Sequence, residues 1–217
     1  MPAELQQRFD TVTTRLEVAG VAWELLRPRS ADALISEADF DQDGRLPYWA
    51  EIWPSSRVLA ERLAHESGGG RRLIELGGGI GLAALVAAHA GFDVVATDYY
   101  AEALEFTRLN AGRHGVSGLV TRLVDWRALP DDLGQFDLVC AADVLYERPN
   151  GPWIAGAVRR LLAPGGLALI TDPGRSIAAG FAELCPEFGL TVAQHKRYPT
   201  EYDGRPLHVD LYELRHA

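Results

Sequence analysis

Glu75-Leu76-Gly77-Gly78-Gly79-Ile80-Gly81 sits where the apolar run 71–76 gives way to the Ala-rich segment 82–90. A buried strand, a glycine turn and a helix in succession open a βα unit. Glycines at such a turn let the backbone approach a ligand and take φ > 0 values that side chains forbid. A dinucleotide-binding turn carries G-x-G-x-x-G, yet the sixth position counted from Gly77 is Leu82, so the spacing here is G-x-G-x-G. That spacing disfavours a nicotinamide oxidoreductase. A triphosphate P-loop is excluded, because no Lys-Ser or Lys-Thr follows. A tight turn without a ligand is the plain alternative at this point.

Working outward, the runs 92–98, 119–125, 136–143 and 167–172 read as further β-type strands, and 101–114 and 153–162 as helices, the last stopped by Pro164, Gly165 and Gly166. The alternation predicts a Rossmann-like, doubly wound α/β sheet, mostly parallel. After a helical stretch at 176–188, the alternating runs 190–198 and 207–215 predict an antiparallel hairpin turning at Asp203 and Gly204. The first 70 residues read as an N-terminal cap continuous with the core at 71–217. The cap holds a hairpin turning at Ala19 and Gly20, a short helix over 31–38 capped by Ser30, and a helix from Pro54 to about Glu66.

The strands end on polar groups. Asp98, about 20 residues beyond the first glycine, can accept hydrogen bonds from both hydroxyls of a ribose, or cap the helix that follows, or both. Asp125 can accept from an adenine amino group and Trp126 can stack on its ring; singly, either could be a loop residue. Ligands of such sheets lie at the carboxyl ends of the strands, so Glu75, Asp98, Asp125 and Asp143 share one rim.

The E-L-G-x-G-x-G run resembles the first motif of the class I, seven-strand S-adenosylmethionine (SAM) dependent methyltransferases. The resemblance implies a sheet of seven strands. It implies that Glu75, Gly77, Gly79 and Gly81 hold the methionine part, Asp98 the ribose, and Asp125 and Trp126 the adenine, with Tyr99 and Ala142 in the same cofactor site. After strand four, Asp143-Val144-Leu145-Tyr146 has the form D-x-x-Y. With Pro47-Tyr48-Trp49-Ala50-Glu51-Ile52-Trp53-Pro54 it is similar to family 16 of these enzymes, rich in protein-lysine methyltransferases. The segment from about Asp39 to Tyr146 is most similar to the branch acting on the electron transfer flavoprotein β subunit and its bacterial relatives. That likeness implies Trp53 beside the adenosyl group, and Asp143 and Tyr146 as catalytic residues.

Plainer readings stand beside these. Asp143 and Tyr146 could form a turn with a packed aromatic, and Trp49 and Trp53 could be core beneath the Pro54 helix. D-x-x-Y also resembles the D-P-P-Y of N6-adenine methyltransferases, but both prolines are absent. Asp39-x-Asp41-x-Asp43-Gly44 opens like an EF-hand loop, yet position 12 is Ala50 and Pro47 interrupts the loop, so a solvated acidic turn is expected.

Composition agrees with a single domain. The 217 residues are 47% hydrophobic and 24% charged, below the roughly 250 residues at which cores split. The net charge of −9 argues against nucleic acid as partner, since that affinity needs clustered Lys and Arg. Cys140 and Cys185 form no CxxC motif and read as buried thiols, and the six His are too scattered for a metal site. No stretch approaches the ~18 apolar residues of a membrane helix and the N-terminus has no apolar leader, so a cytoplasmic location is expected. The expectation is a SAM-dependent N-methyltransferase whose partner is a protein with an accessible lysine. The alternatives are an enzyme acting on a small amine and a SAM-binding module without catalysis.

Overall fold

Seven strands form one sheet in the order β5-β4-β3-β6-β7-β9-β8. They are β3 (Arg72–Leu76), β4 (Asp93–Asp98), β5 (Leu119–Leu123), β6 (Phe136–Ala142), β7 (Leu162–Asp172), β8 (Leu190–Tyr202) and β9 (Arg205–His216). The structure, a computed structural model, describes residues 2–31, 34 and 47–217. Strands β5, β4, β3, β6 and β7 are parallel, while β9 runs antiparallel between β7 and β8. The chain therefore moves outward from β3 through β4 to β5, then returns to build β6 and β7 on the other side. The switch point between β3 and β6 is where such sheets open a crevice for a ligand.

Alternation along each strand divides the interior in two. Leu73 and Leu138 face one cluster with helices α2 (Pro54–Ala64), α3 (Leu82–His89) and α4 (Ala101–Arg113). Their neighbours Ile74 and Val139 face the other, with α5 (Asn150–Leu161) and the single turn α6 (Phe181–Leu184). A strand buried on both faces is apolar throughout, as Leu138, Val139, Cys140 and Ala141 are. Ahead of the sheet, α1 (Pro2–Arg8) leads into the hairpin of β1 (Thr11–Val18) and β2 (Val21–Pro28), which turns at Ala19 and Gly20, both with positive φ. Trp23, Leu25 and Leu26 of β2 enter the same cluster as α3 and α4. Asn110 of α4 is fully buried, takes the Leu26 N–H and donates to the carbonyls of Leu26 and Ile80, tying the hairpin to the glycine loop.

Some boundaries differ from the sequence expectation. The stretch 176–188 is not one helix: 3-10 turns at Ser176–Ala178 and Cys185–Phe188 flank α6, because Gly180 weakens the helix and Pro186 supplies no N–H. Helix α5 begins at Asn150, accommodating Pro152 in its first turn, and β7 starts at Leu162 and runs through the Pro164-Gly165-Gly166 signal with a shift in its register to β6. Strand β5 ends at Leu123, so Asp125 lies beyond the sheet at the start of a 3-10 turn. The helix expected over 31–38 and the acidic turn at Asp39, Asp41 and Asp43 lie outside the described residues, except for Ala31 and Leu34.

Candidate active site

The glycine loop is built to its protein surroundings as much as to a ligand. Gly77, Gly79 and Gly81 all have positive φ. A Cβ on Gly79 would stand 2.9 Å from the Trp49 carbonyl oxygen, and one on Gly77 would stand 2.8 Å from the Trp126 ring. Side chains at these two positions are thus excluded by conformation and by space. The loop's backbone is held by Gly78 N–H on Thr97 O, Gly79 N–H on Asp98 Oδ2, and the Thr107 hydroxyl on Gly79 O.

Glu75 lies beneath this loop, 2% exposed, and its Oε2 has no hydrogen-bond partner. Burial pushes its carboxyl up to about 8, against the pull of the Ala84 N–H, and nearby Asp98 adds to the rise. Asp98 ends β4, accepting from Gly79 N–H at 2.9 Å and from Tyr100 N–H at 2.9 Å, so it orders the loop and the entry to α4 together. Asp125 accepts a forked pair from the Arg127 guanidinium, at 2.9 and 2.6 Å, and the Arg127 N–H as well. Arg127 in turn lies over the rings of Tyr99 and Trp153.

At the end of β6 the chain turns through Asp143, a residue with φ of 61°, in a conformation Asp tolerates better than most side chains. Asp143 N–H donates to Thr171 O, and the buried Asn150 side chain donates to Val144 O, fixing the turn that carries Tyr146. Asp143 is buried; its Oδ1 pairs with Arg175, and its Oδ2 has no partner. Burial raises the Asp143 pKa, while Arg175 and the nearby Ser55 hydroxyl, which forms no well-aligned hydrogen bond, hold it down.

These elements enclose one cleft of about 870 Å³, its open mouth included. Trp53, Glu75, Gly77, Gly79, Asp98, Tyr99, Asp125, Trp126, Ala142, Asp143 and Tyr146 all line it. Gly81 does not; it caps the start of α3, where a Cβ would stand 2.7 Å from the Thr107 side chain and 2.8 Å from that of Leu85. Five acidic residues line the wall among its aromatic rings, Glu51 joining the four rim acids, and no Lys or Arg lines it among the described residues, which suits a cationic ligand.

Sequence reasoning passed over three parts of this site. Tyr48 stands 5.6 Å from the Tyr146 ring and 6.0 Å from that of Trp53, whose indole N–H donates to Tyr48 O. Tyr202, at the tip of the β8–β9 hairpin, lies 5.8 Å from the Trp53 ring. Arg175 bridges Asp143 and the fully buried Asp172. Tyr48 was within reach in the Trp49 and Trp53 segment, and D-x-x-R at the close of β7 marks the Asp172 and Arg175 pair.

The strand order and the cleft at its switch point define a class I, Rossmann-like methyltransferase. The methyltransferase domain family matches residues 48–214, and the chain belongs to it. It is a SAM-dependent methyltransferase. It is 29% identical to EEF1A lysine methyltransferase 3 of Mus musculus, across 79% of this chain and 74% of that one. It is 30% identical to the electron transfer flavoprotein beta subunit lysine methyltransferase of Danio rerio, across 60% and 51% respectively. A ubiquinone biosynthesis O-methyltransferase of Bordetella avium (strain 197N) is 29% identical, across 63% and 57%. The chain thus spans little more than half the length of these last two. Among solved structures, M. jannaschii TYW2 in complex with AdoMet matches with a TM-score of 0.59 at 13% identity, over 94% of this chain and 87% of that one. Among the described residues no helix is long and apolar enough to cross a membrane, and no cluster of His, Cys, Asp or Glu could hold a metal ion.

Proposed function

We propose that this methyltransferase acts on nitrogen, and that its acceptor is a lysine side chain of a protein. The observation that carries the reading is Asp143: a buried carboxylate with Oδ2 unpartnered, in the same cleft wall as the aromatic side chains Tyr48, Trp53 and Tyr146. An amine can donate to that oxygen while its alkyl chain passes the aromatic rings. Two of the relatives above methylate lysine by name, which supports the same choice.

The residues present fit SAM, a cationic nucleoside. The unpartnered Glu75 Oε2 beneath the glycine loop suits its amino group, with Gly77, Gly79 and Gly81 shaping the loop around the methionine part. Asp98 would hold the ribose, Asp125, Trp126 and Tyr99 the adenine, and Trp53 and Ala142 would flank the adenosyl group. When bound, SAM supplies a methyl group on a positively charged sulfur. The protein's own task is alignment and exclusion of water, and alignment can lower a barrier by roughly 7 kcal/mol or more. A lysine, with an ordinary pKa of about 10.4, must arrive neutral or shed its proton in the cleft. Burial there favours the neutral amine, Asp143 orients it through an N–H donated to Oδ2, Tyr146 walls the pocket, and the proton passes to solvent.

Residues 1–70 act in this reading as a cap continuous with the catalytic core at 71–217, with Tyr48 and Trp53 as its contribution to the acceptor side. Cys140 and Cys185, both unpaired and buried, suit a reducing, cytoplasmic setting. A small-molecule acceptor is the second reading, favoured by the likeness to ubiquinone O-methyltransferases. Incubation with methyl-labelled SAM and a lysate of the protein's own organism separates the two: label should enter protein. Label found in small molecules alone would overturn the lysine reading. Asp143→Ala should keep affinity for S-adenosylhomocysteine and lose transfer; transfer that persists in this variant would remove Asp143 from the acceptor site.

A further inference from the structure

Asp143 is gripped by a residue outside the cleft. Arg175 follows β7 in the loop Pro173-Gly174-Arg175, and it is not among the described residues that form the cleft wall. Its guanidinium reaches Asp143 Oδ1 with one nitrogen and Asp172 Oδ2 with another at 3.1 Å, while its own N–H donates to Asp172 Oδ1 at 2.9 Å. Asp172 is wholly buried at the end of β7, so it anchors both the backbone and the side chain of Arg175. The Arg175 side chain itself keeps 29% exposure.

We infer that Arg175 is the positioning residue of the acceptor site: it fixes Asp143 Oδ1, leaving Oδ2 to receive the N–H of the acceptor. The inference rests on the amine-acceptor reading above. Among the described residues, the groups facing Asp143 are Arg175 and Asp172 from the end of β7, the Ser55 hydroxyl from α2, and the Tyr202 phenol from β8. Arg175 is the cation in this set, and the others offer no charge to replace it. Without Arg175, burial and Asp172 would favour the neutral acid, whose proton competes for the oxygen the amine needs.

Arg175→Gln and Arg175→Lys test this in the full chain. The Asp143 carboxyl is followed by carbon-13 NMR titration, its signal assigned by its loss in Asp143→Asn. Its midpoint should rise by about one pH unit or more in Arg175→Gln and by less in Arg175→Lys. The thermal shift given by S-adenosylhomocysteine should be unchanged in both, showing that fold and nucleoside site persist. Transfer of labelled methyl to lysate protein should fall about tenfold near neutral pH in Arg175→Gln, recover as pH rises, and be partly restored in Arg175→Lys. An unmoved Asp143 midpoint, or a loss of transfer equal at every pH, would overturn the inference. If the unaltered protein labels no lysate protein, the lysine reading fails, and the NMR midpoint alone decides the role of Arg175.

Discussion

Glu75→Gln replaces a buried ionisable group with a neutral one of nearly the same shape. In the folded protein the Glu75 carboxyl is pushed from its ordinary 4.5 up to about 8, because it sits 2% exposed beneath the glycine loop with Oε2 unpartnered. Between those values the folded chain keeps a proton that the unfolded chain has released. Stability therefore falls as pH rises through this window, is complete below 4.5, and levels off above about 8. At about 1.4 kcal/mol per unit, the full loss is roughly 5 kcal/mol, an upper figure since a buried charge draws in water and relaxes its surroundings. Glu75→Gln removes this slope whatever its own offset: an amide placed beside unpartnered space can cost about 1–3 kcal/mol, but equally at every pH. The assay is urea denaturation of both proteins at a series of pH values from 5 to 9. The expected result is a stability difference that shifts steadily in favour of Glu75→Gln as pH rises. Curves that stay parallel would refute the reasoning, and with it the claim that Glu75 is neutral before a cation binds.

Because a cationic ligand would favour the ionised form of Glu75, SAM affinity should rise with pH up to about 8, with proton release visible by calorimetry in buffers of different ionisation enthalpy; Glu75→Gln should flatten that dependence. Gly79→Ala should abolish the thermal shift given by S-adenosylhomocysteine, since φ of 57° and the Trp49 carbonyl at 2.9 Å together cost about 1–3 kcal/mol or displace the loop. Asn150→Ala should lower stability by about 1–3 kcal/mol by leaving the buried Val144 carbonyl without its donor, measured by denaturation. Ala19→Asn should raise stability by up to about 1 kcal/mol, because Ala19 holds a left-handed conformation in a two-residue turn where Asn is at ease.

The fold was legible because its strands announce themselves twice, by apolar runs and by the polar residues that end them. Glu75, Asp98 and Asp143 sit at or just past the ends of β3, β4 and β6 on the expected rim. The glycine turn, the two hairpins and the cleft membership of Tyr146 followed from local pattern, and that of Trp53 from the family resemblance. What escaped depends on distance along the chain. Tyr202 reaches Trp53 because β8 and β9 are long enough to carry their turn toward the cleft, and strand length is poorly written in an alternating pattern. Arg175 meets Asp143 because β6 and β7 are neighbours in the sheet, a pairing that topology alone supplies. The broken helix at 176–188 was misread because its apolar spacing is helical while Gly180 and Pro186 act against it.

The central claim, methyl transfer to protein lysine in the cleft of Asp143, is tested most directly by mass spectrometry of lysate proteins incubated with this protein and SAM. The account predicts lysine peptides heavier by one or more methylene units, present with the unaltered protein and missing with Asp143→Ala. Protein left unmodified while a small molecule of the lysate gains the methyl group would contradict it.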